Sequence, residues 1–235
     1  MKLTTQQINQ LYLFTRQHYV EYYDLQSELV DHLANAIEAQ IELSPKLTFD
    51  EALQIEFKKF GVFGFMDVLE KRQAVLGKKY NSLVWEHFKD FFGIPKIVLT
   101  IAMTLVLFCI LKITSFNEWI LVGLYFILVV FSFYAIFKSY KTQKNKKKKN
   151  EKRWLFEEII NQYGSFSGAI IFPFNYFLRI FNQSEKYLDN DVWILSLSFF
   201  LVMITAVFFI IYKIIPSKAT QYLEATYPEY KLQNV

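Results

Sequence analysis

The sequence predicts an all-α protein in which a cytoplasmic N-terminal helical bundle is followed by a four-helix transmembrane region. Three observations predict it. Apolar side chains recur at helical spacing through the first 93 residues. Beyond them come apolar runs approaching the roughly 20 residues that a bilayer core demands. Charge divides between the two parts, with 10 Lys and Arg against 13 Asp and Glu through residue 95, and 16 against 9 after it. The 53% hydrophobic and 19% aromatic content of the 235 residues exceeds ordinary soluble usage. Cys109, the single cysteine, lies inside an apolar run, which excludes an intramolecular disulfide framework and a zinc site built on several thiolates.

In the first part, residues 1–93, Thr4 with Gln7 three positions later forms a capping-box pattern ahead of Ile8, Leu11, Tyr12 and Phe14. This predicts a first helix ending before Tyr23. The second helix is marked by Leu25, Leu29, Leu33, Ile37 and Ile41, with Glu28, Asp31, His32, Asn35 and Glu38 on other faces. Ser44 and Pro45 break it. Thr48 and Glu51 make a second capping box for a helix through Ala52, Leu53, Ile55, Phe57 and Phe60, with Gly61 as its stop. A fourth helix follows Gly64, carrying Phe65, Val68, Leu69, Val75 and Leu76 and running past Gly77 to Phe92. Gly93 and Pro95 mark the entry to the membrane. This local consistency leads to the expectation that residues 1 to about 90 fold alone as a soluble bundle.

The transmembrane region, 94–215, is expected to contain spans at 96–114, 119–137, 163–181 and 192–213. The third carries Pro173, Asn175, Arg179, Gly164 and Gly168, so a kinked span and a re-entrant segment both remain open; charge asymmetry favours the span. Before it, Leu155, Phe156, Ile159, Ile160 and Tyr163 share one face opposite Glu157, Glu158, Asn161 and Gln162, a pattern suited to an interfacial helix. Between Lys138 and Arg153, nine bases face the single acid Glu151, which makes 138–153 a cytoplasmic loop. Both termini and the tail, 216–235, are then cytoplasmic and the protein is multi-pass in the cell inner (plasma) membrane. No leader pattern opens the chain, so the first span is expected to act as an uncleaved insertion signal.

Tyr23-Asp24-Leu25 leading into Glu28-Leu29-Val30-Asp31-His32-Leu33, then Thr48-Phe49-Asp50-Glu51-Ala52-Leu53 and Phe60-Gly61, resembles the HTH-associated alpha-helical signalling (HAAS-like) N-terminal domains of bacterial membrane proteins. The resemblance covers about residues 10–65. It implies a small cytoplasmic helical module, attached to spans, that works in signalling by protein contact rather than catalysis. No ATP-binding segment or long transporter portion accompanies it.

Asp24, Glu28, Asp31 and His32 are the candidate partner-binding or structural residues. Spacing of four puts Glu28 beside His32, which can supply two metal ligands or an acid/base pair. The pattern is not H-E-x-x-H, and the other histidines are only His18 and His87, so an ion pair or cap that fixes the second helix is the preferred reading. No cofactor, metal or catalytic residue is expected. Lys146, Lys147, Lys148 and Lys149 are expected to contact anionic lipid, and the run lacks the interleaved aromatics of a nucleic-acid reader. No Asp, Glu or His lies inside the expected spans, which argues against ion-coupled transport and intramembrane hydrolysis. The expected function is non-enzymatic: a signalling or assembly adaptor docking a cytoplasmic protein partner, able to self-associate. A small channel or transporter subunit is the alternative.

Overall fold

The computed structural model describes residues 2–149, 151–163 and 188–233, which are helical with no strand among them. Both capping boxes form. Thr4 Oγ1 accepts from Gln7 N at 3.3 Å while Gln7 Oε1 accepts from Thr4 N at 2.8 Å, starting α1, Thr5–Gln17. Thr48 and Glu51 repeat the arrangement at α3, Phe49–Lys58. Each box satisfies backbone N–H groups that the first helical turn leaves without a partner. Between them α2, Tyr23–Leu43, buries Leu25, Leu29, Val30, Leu33 and Ile37 against α1 and α3. Each such side chain contributes about 1.5–3 kcal/mol when fully removed from water. α4 spans Met66–Lys89 and is followed by a 3-10 turn at Asp90–Phe92.

Among the described residues, three helices are long and apolar enough to cross a membrane. α5 is Lys96–Ile113, α6 is Asn117–Lys148, and α8, Asp191–Phe209, continues through a π-helical segment, Ile210–Ile214. They coincide with the spans expected at 96–114, 119–137 and 192–213. The remaining expected span, 163–181, lies outside the described residues apart from Tyr163. α7 is Leu155–Asn161 and α9 is Ala219–Thr226.

Two compact units divide the chain. One comprises Met1–Leu76, Lys146–Ile159 and Tyr227–Val235; the other comprises Gly77–Asn145 and Ile160–Thr226. The first is therefore built from the beginning, middle and end of the sequence. Its core joins Leu11, Leu33, Ile37, Leu53 and Phe65 with an aromatic group in which Phe57 meets Phe14 and Phe65 edge-on, each at 5.0 Å between centroids. In the second unit α5 packs on α8, and Leu111, Leu121, Leu188, Ile194, Leu197 and Leu201 form a shared cluster. Away from that cluster the same helices expose Leu105, Ile127 and Phe209, an apolar outer surface suited to lipid.

The basic run does not begin as a loop. α6 stays helical to Lys148, in keeping with the favourable helix propensity of lysine and its affinity for the negative end of the helix dipole. The apolar face expected to lie at a membrane interface is instead covered by protein, with Leu155, Phe156 and Ile160 all buried.

Candidate functional site

Asp24 joins three stretches of the first unit. It stands in the first turn of α2, where a carboxylate suits the helix N-terminus. One carboxylate oxygen accepts the backbone N–H of Leu155, which opens α7, at 3.0 Å. The other accepts the Tyr227 hydroxyl at 2.8 Å. Asp24 is 8% exposed and Tyr227 5%, so both bonds are shielded from water. Burial, reinforced by the Asp24 charge, pushes the Tyr227 phenol well above its ordinary pKa. The tyrosine is thus held as a proton donor.

Trp154, next to Leu155 in the chain, packs against three tyrosines of the same unit. It is 1% exposed, with centroids 5.4 Å from Tyr23, 4.8 Å from Tyr227 and 5.3 Å from Tyr230. Tyr23 N donates to Arg153 O at 2.8 Å, which brings the 152–155 backbone along the start of α2. The Arg153 guanidinium pairs with Glu21 and, at 3.2 Å, with Glu158. Burial works to lower the Arg153 pKa, but the hydrogen bond to Glu158 and the charges of Glu158, Tyr22 and Glu21 together outweigh it, and the net direction is upward. We term this assembly of Asp24, Trp154, Leu155 and Tyr227 the clasp.

A second feature is an ordered apolar turn after α3. Val62 is 98% exposed and Phe63 71%. Gly61, at φ +78°, and Gly64, at φ +56°, bracket them in the left-handed region that glycine adopts without penalty. A Cβ on Gly64 would also stand 3.0 Å from the Phe57 ring. Gly61 N donates to Lys58 O, Gly64 N to Gly61 O and Met66 N to Phe63 O, so the turn has its own hydrogen bonds. Two apolar side chains are presented to solvent on a fixed backbone.

The four acidic and histidine positions singled out on α2 part company. Asp24 faces inward. Glu28 is exposed and meets Arg72 at 3.8 Å, Asp31 accepts from Asn35 at 3.4 Å, and exposed His32 approaches the Phe60 ring at 6.1 Å between centroids. Among the described residues no three of His, Cys, Asp and Glu are grouped to hold a metal ion. Of the lysines expected at lipid, Lys146 pairs with Glu157, while Lys148 and Lys149 are exposed. Trp154, Tyr227, Val62 and Phe63 were not singled out from sequence. A lone tryptophan ending a lysine run, a tyrosine before Pro228 in a polar tail, and apolar residues framed by two glycines were the available signals.

No family model matches the chain, and neither does any curated protein or solved structure.

Proposed function

We propose that the protein is a non-enzymatic adaptor of the bacterial inner membrane that docks a cytoplasmic protein in a signalling or assembly role. The observation that carries this reading is the turn bearing Val62 and Phe63. Large apolar side chains held out in water on a hydrogen-bonded backbone lose little entropy when a partner covers them. Their burial favours association by about 1.5–3 kcal/mol each. The similarity of residues 10–65 to HAAS-like modules supports contact rather than catalysis. Span-length helices support membrane residence, and the lysines from Lys138 onward favour a cytoplasmic placement of that end of α6 and of both termini. Lys148 and Lys149 remain available to anionic lipid or an acidic partner.

The test is a photoreactive side chain placed at Phe63 of the full-length protein in its native membrane. A discrete protein adduct, lost when Val62→Asp is added, is the expected result. Adducts no more abundant than those from Lys46, on an exposed loop elsewhere in the unit, would refute docking through this turn.

A further inference from the structure

Beyond Gly77, where α4 belongs to the second unit, the helix has two unlike faces. On one, Tyr80 and Val84 are buried and His87 Nε2 meets the Tyr222 hydroxyl of α9 at 2.7 Å. Lys79 Nζ donates to Thr226 Oγ1 of the same helix at 2.9 Å. Those bonds fix which side of α4 is turned toward protein. The other side carries Trp85, Phe88 and Phe92, spaced three and four residues apart. Trp85 stacks on Phe88 with centroids 5.4 Å apart and planes at 21°, and Phe92 meets Phe88 edge-on at 5.4 Å. Trp85 is nonetheless 58% exposed and Phe92 47%.

Two connections indicate what covers this aromatic ladder. Past Phe92 the chain runs through Ile94, 90% exposed, into α5, where Val98 and Leu99 are exposed in turn. Exposed apolar surface therefore continues from the ladder onto a helix of membrane length. Tyr222, which holds His87, stands a few residues beyond Ser217, where the apolar helix that contains α8 ends. At about 1.5 Å of rise per residue, both attachments keep the ladder close to the ends of membrane-length helices. Charge does not account for the face, because exposed Glu86 and Asp90 offset exposed Lys89 and Lys96.

We propose that this face of α4 lies flat in the headgroup region of the bilayer, with Trp85, Phe88 and Phe92 reaching toward the acyl boundary. Aromatic rings concentrate at that depth, and an amphipathic helix lying there sinks its apolar face by about 5–10 Å. The Lys89 stem runs beside the rings and carries its ammonium to the level of the phosphates. The inference rests on α5, α6 and α8 crossing a membrane, and it adds lipid contact by a segment outside those helices.

Spin labels on the full-length protein in nanodiscs of phosphatidylcholine, which carries no net charge, test this. Depth is read from collisions with oxygen, which concentrates among acyl chains, and with a nickel chelate, which stays in water. Cys109 is exposed on α5, so a label there reports membrane residence itself. In a Cys109→Ser background, Lys89→Cys sets a label beside the ladder with all three rings intact, and Lys46→Cys is the water reference. The Cys109 label is expected deep and the Lys46 label in water. The Lys89 label should lie between them, with nickel accessibility several-fold below that at Lys46. Adding Trp85→Ser and Phe88→Ser should return it toward the Lys46 value; Trp85→Ser alone, at an exposed ring, serves if the double variant loses helicity. A deep Cys109 label with a Lys89 label as open to nickel as Lys46 would overturn this proposal alone, whereas a Cys109 label in water would overturn membrane residence with it. A Lys89 label shielded from both reagents would mean that protein, a second copy included, covers the face. That outcome, or a depth unchanged by loss of the rings, would also overturn the proposal.

Discussion

The first unit and the span-length helices of the second treat their buried polar side chains differently. In the first, polar atoms reach far along the chain: Asp24 bonds Leu155 and Tyr227, and buried Glu56 holds Gln40 of α2 as well as Lys59 at 2.6 Å. In the span-length helices of the second, hydroxyls turn back on their own helix. Thr100 donates to Lys96 O, Thr104 to Thr100 O, Ser198 to Ile194 O and Thr205 to Leu201 O, each one turn away at 2.8–3.0 Å. Where water competes, a buried long-range bond marks the native arrangement against alternatives, because breaking it strands a polar group. Where lipid is the solvent, a polar group has to be satisfied before helices meet, and local back-bonding does so. Long-range polar pairs therefore help to specify the tertiary arrangement of the first unit, while in the second, where Tyr163 also donates to Ala135 O at 2.8 Å, α5 and α8 meet through apolar packing.

The largest test of this contrast removes the apolar half of the clasp. Trp154→Ala should cost about 3–5 kcal/mol, the usual penalty for emptying a buried aromatic site. Trypsin cleavage at Lys152 and Arg153 of the full-length protein should accelerate accordingly, and an unchanged rate would show that the clasp does not hold the segment. A thermodynamic cycle of Asp24→Ala and Tyr227→Phe should next give a coupling of about 1–3 kcal/mol. Additive effects in chemical unfolding would break the claim that this pair is long-range glue. The Tyr227 pKa is raised in the folded state, so its contribution is complete below the ordinary phenol value of about 10 and is lost as pH climbs above it; Tyr227→Phe should abolish that alkaline loss.

Ser198→Ala should change stability by no more than about 0.5 kcal/mol although Ser198 is fully buried, since its bond only duplicates one turn of helix. A cost matching the Asp24 pair would erase the distinction between the units. The smallest effect belongs to Glu51, a local polar pair in water. Its hydrogen bonds with Thr48 lower its pKa. Its support for α3 is therefore present above the ordinary glutamate value and fades as pH falls through the depressed one. Circular dichroism of the parent and Glu51→Gln should differ slightly at neutral pH and converge in acid.

The sequence was legible where the physics is local. Thr4–Gln7 and Thr48–Glu51 are spaced by three residues, and the leucine ladder of α2 repeats within one helix, so neither needs knowledge of the rest of the chain. The apolar runs of α5, α6 and α8 identify themselves by length. Asp24 was found, but not its partners, because nothing in a sequence links it to a backbone N–H 131 residues away or a hydroxyl 203 away. The helical course of α6 through Lys148 was hidden by charge, which suggested a loop although lysine tolerates helix well. Val62 and Phe63 have the apolar character of core residues, and the left-handed glycines on either side of them, which a sequence does not show, set them outward.

The distance between Asp24 and Tyr227 also sets a timetable. At about 5–20 residues per second, a ribosome needs about 10–40 s after making the first to make the second. For most of that interval α1, α2 and α3 have already been made while Asp24 lacks its tyrosine, and the span-length helices are synthesised in between. The clasp is consequently among the last contacts that a nascent chain can make, and a chain cut short before Tyr227 would carry a carboxylate lacking its phenol donor, an unfinished surface that marks the molecule as incomplete.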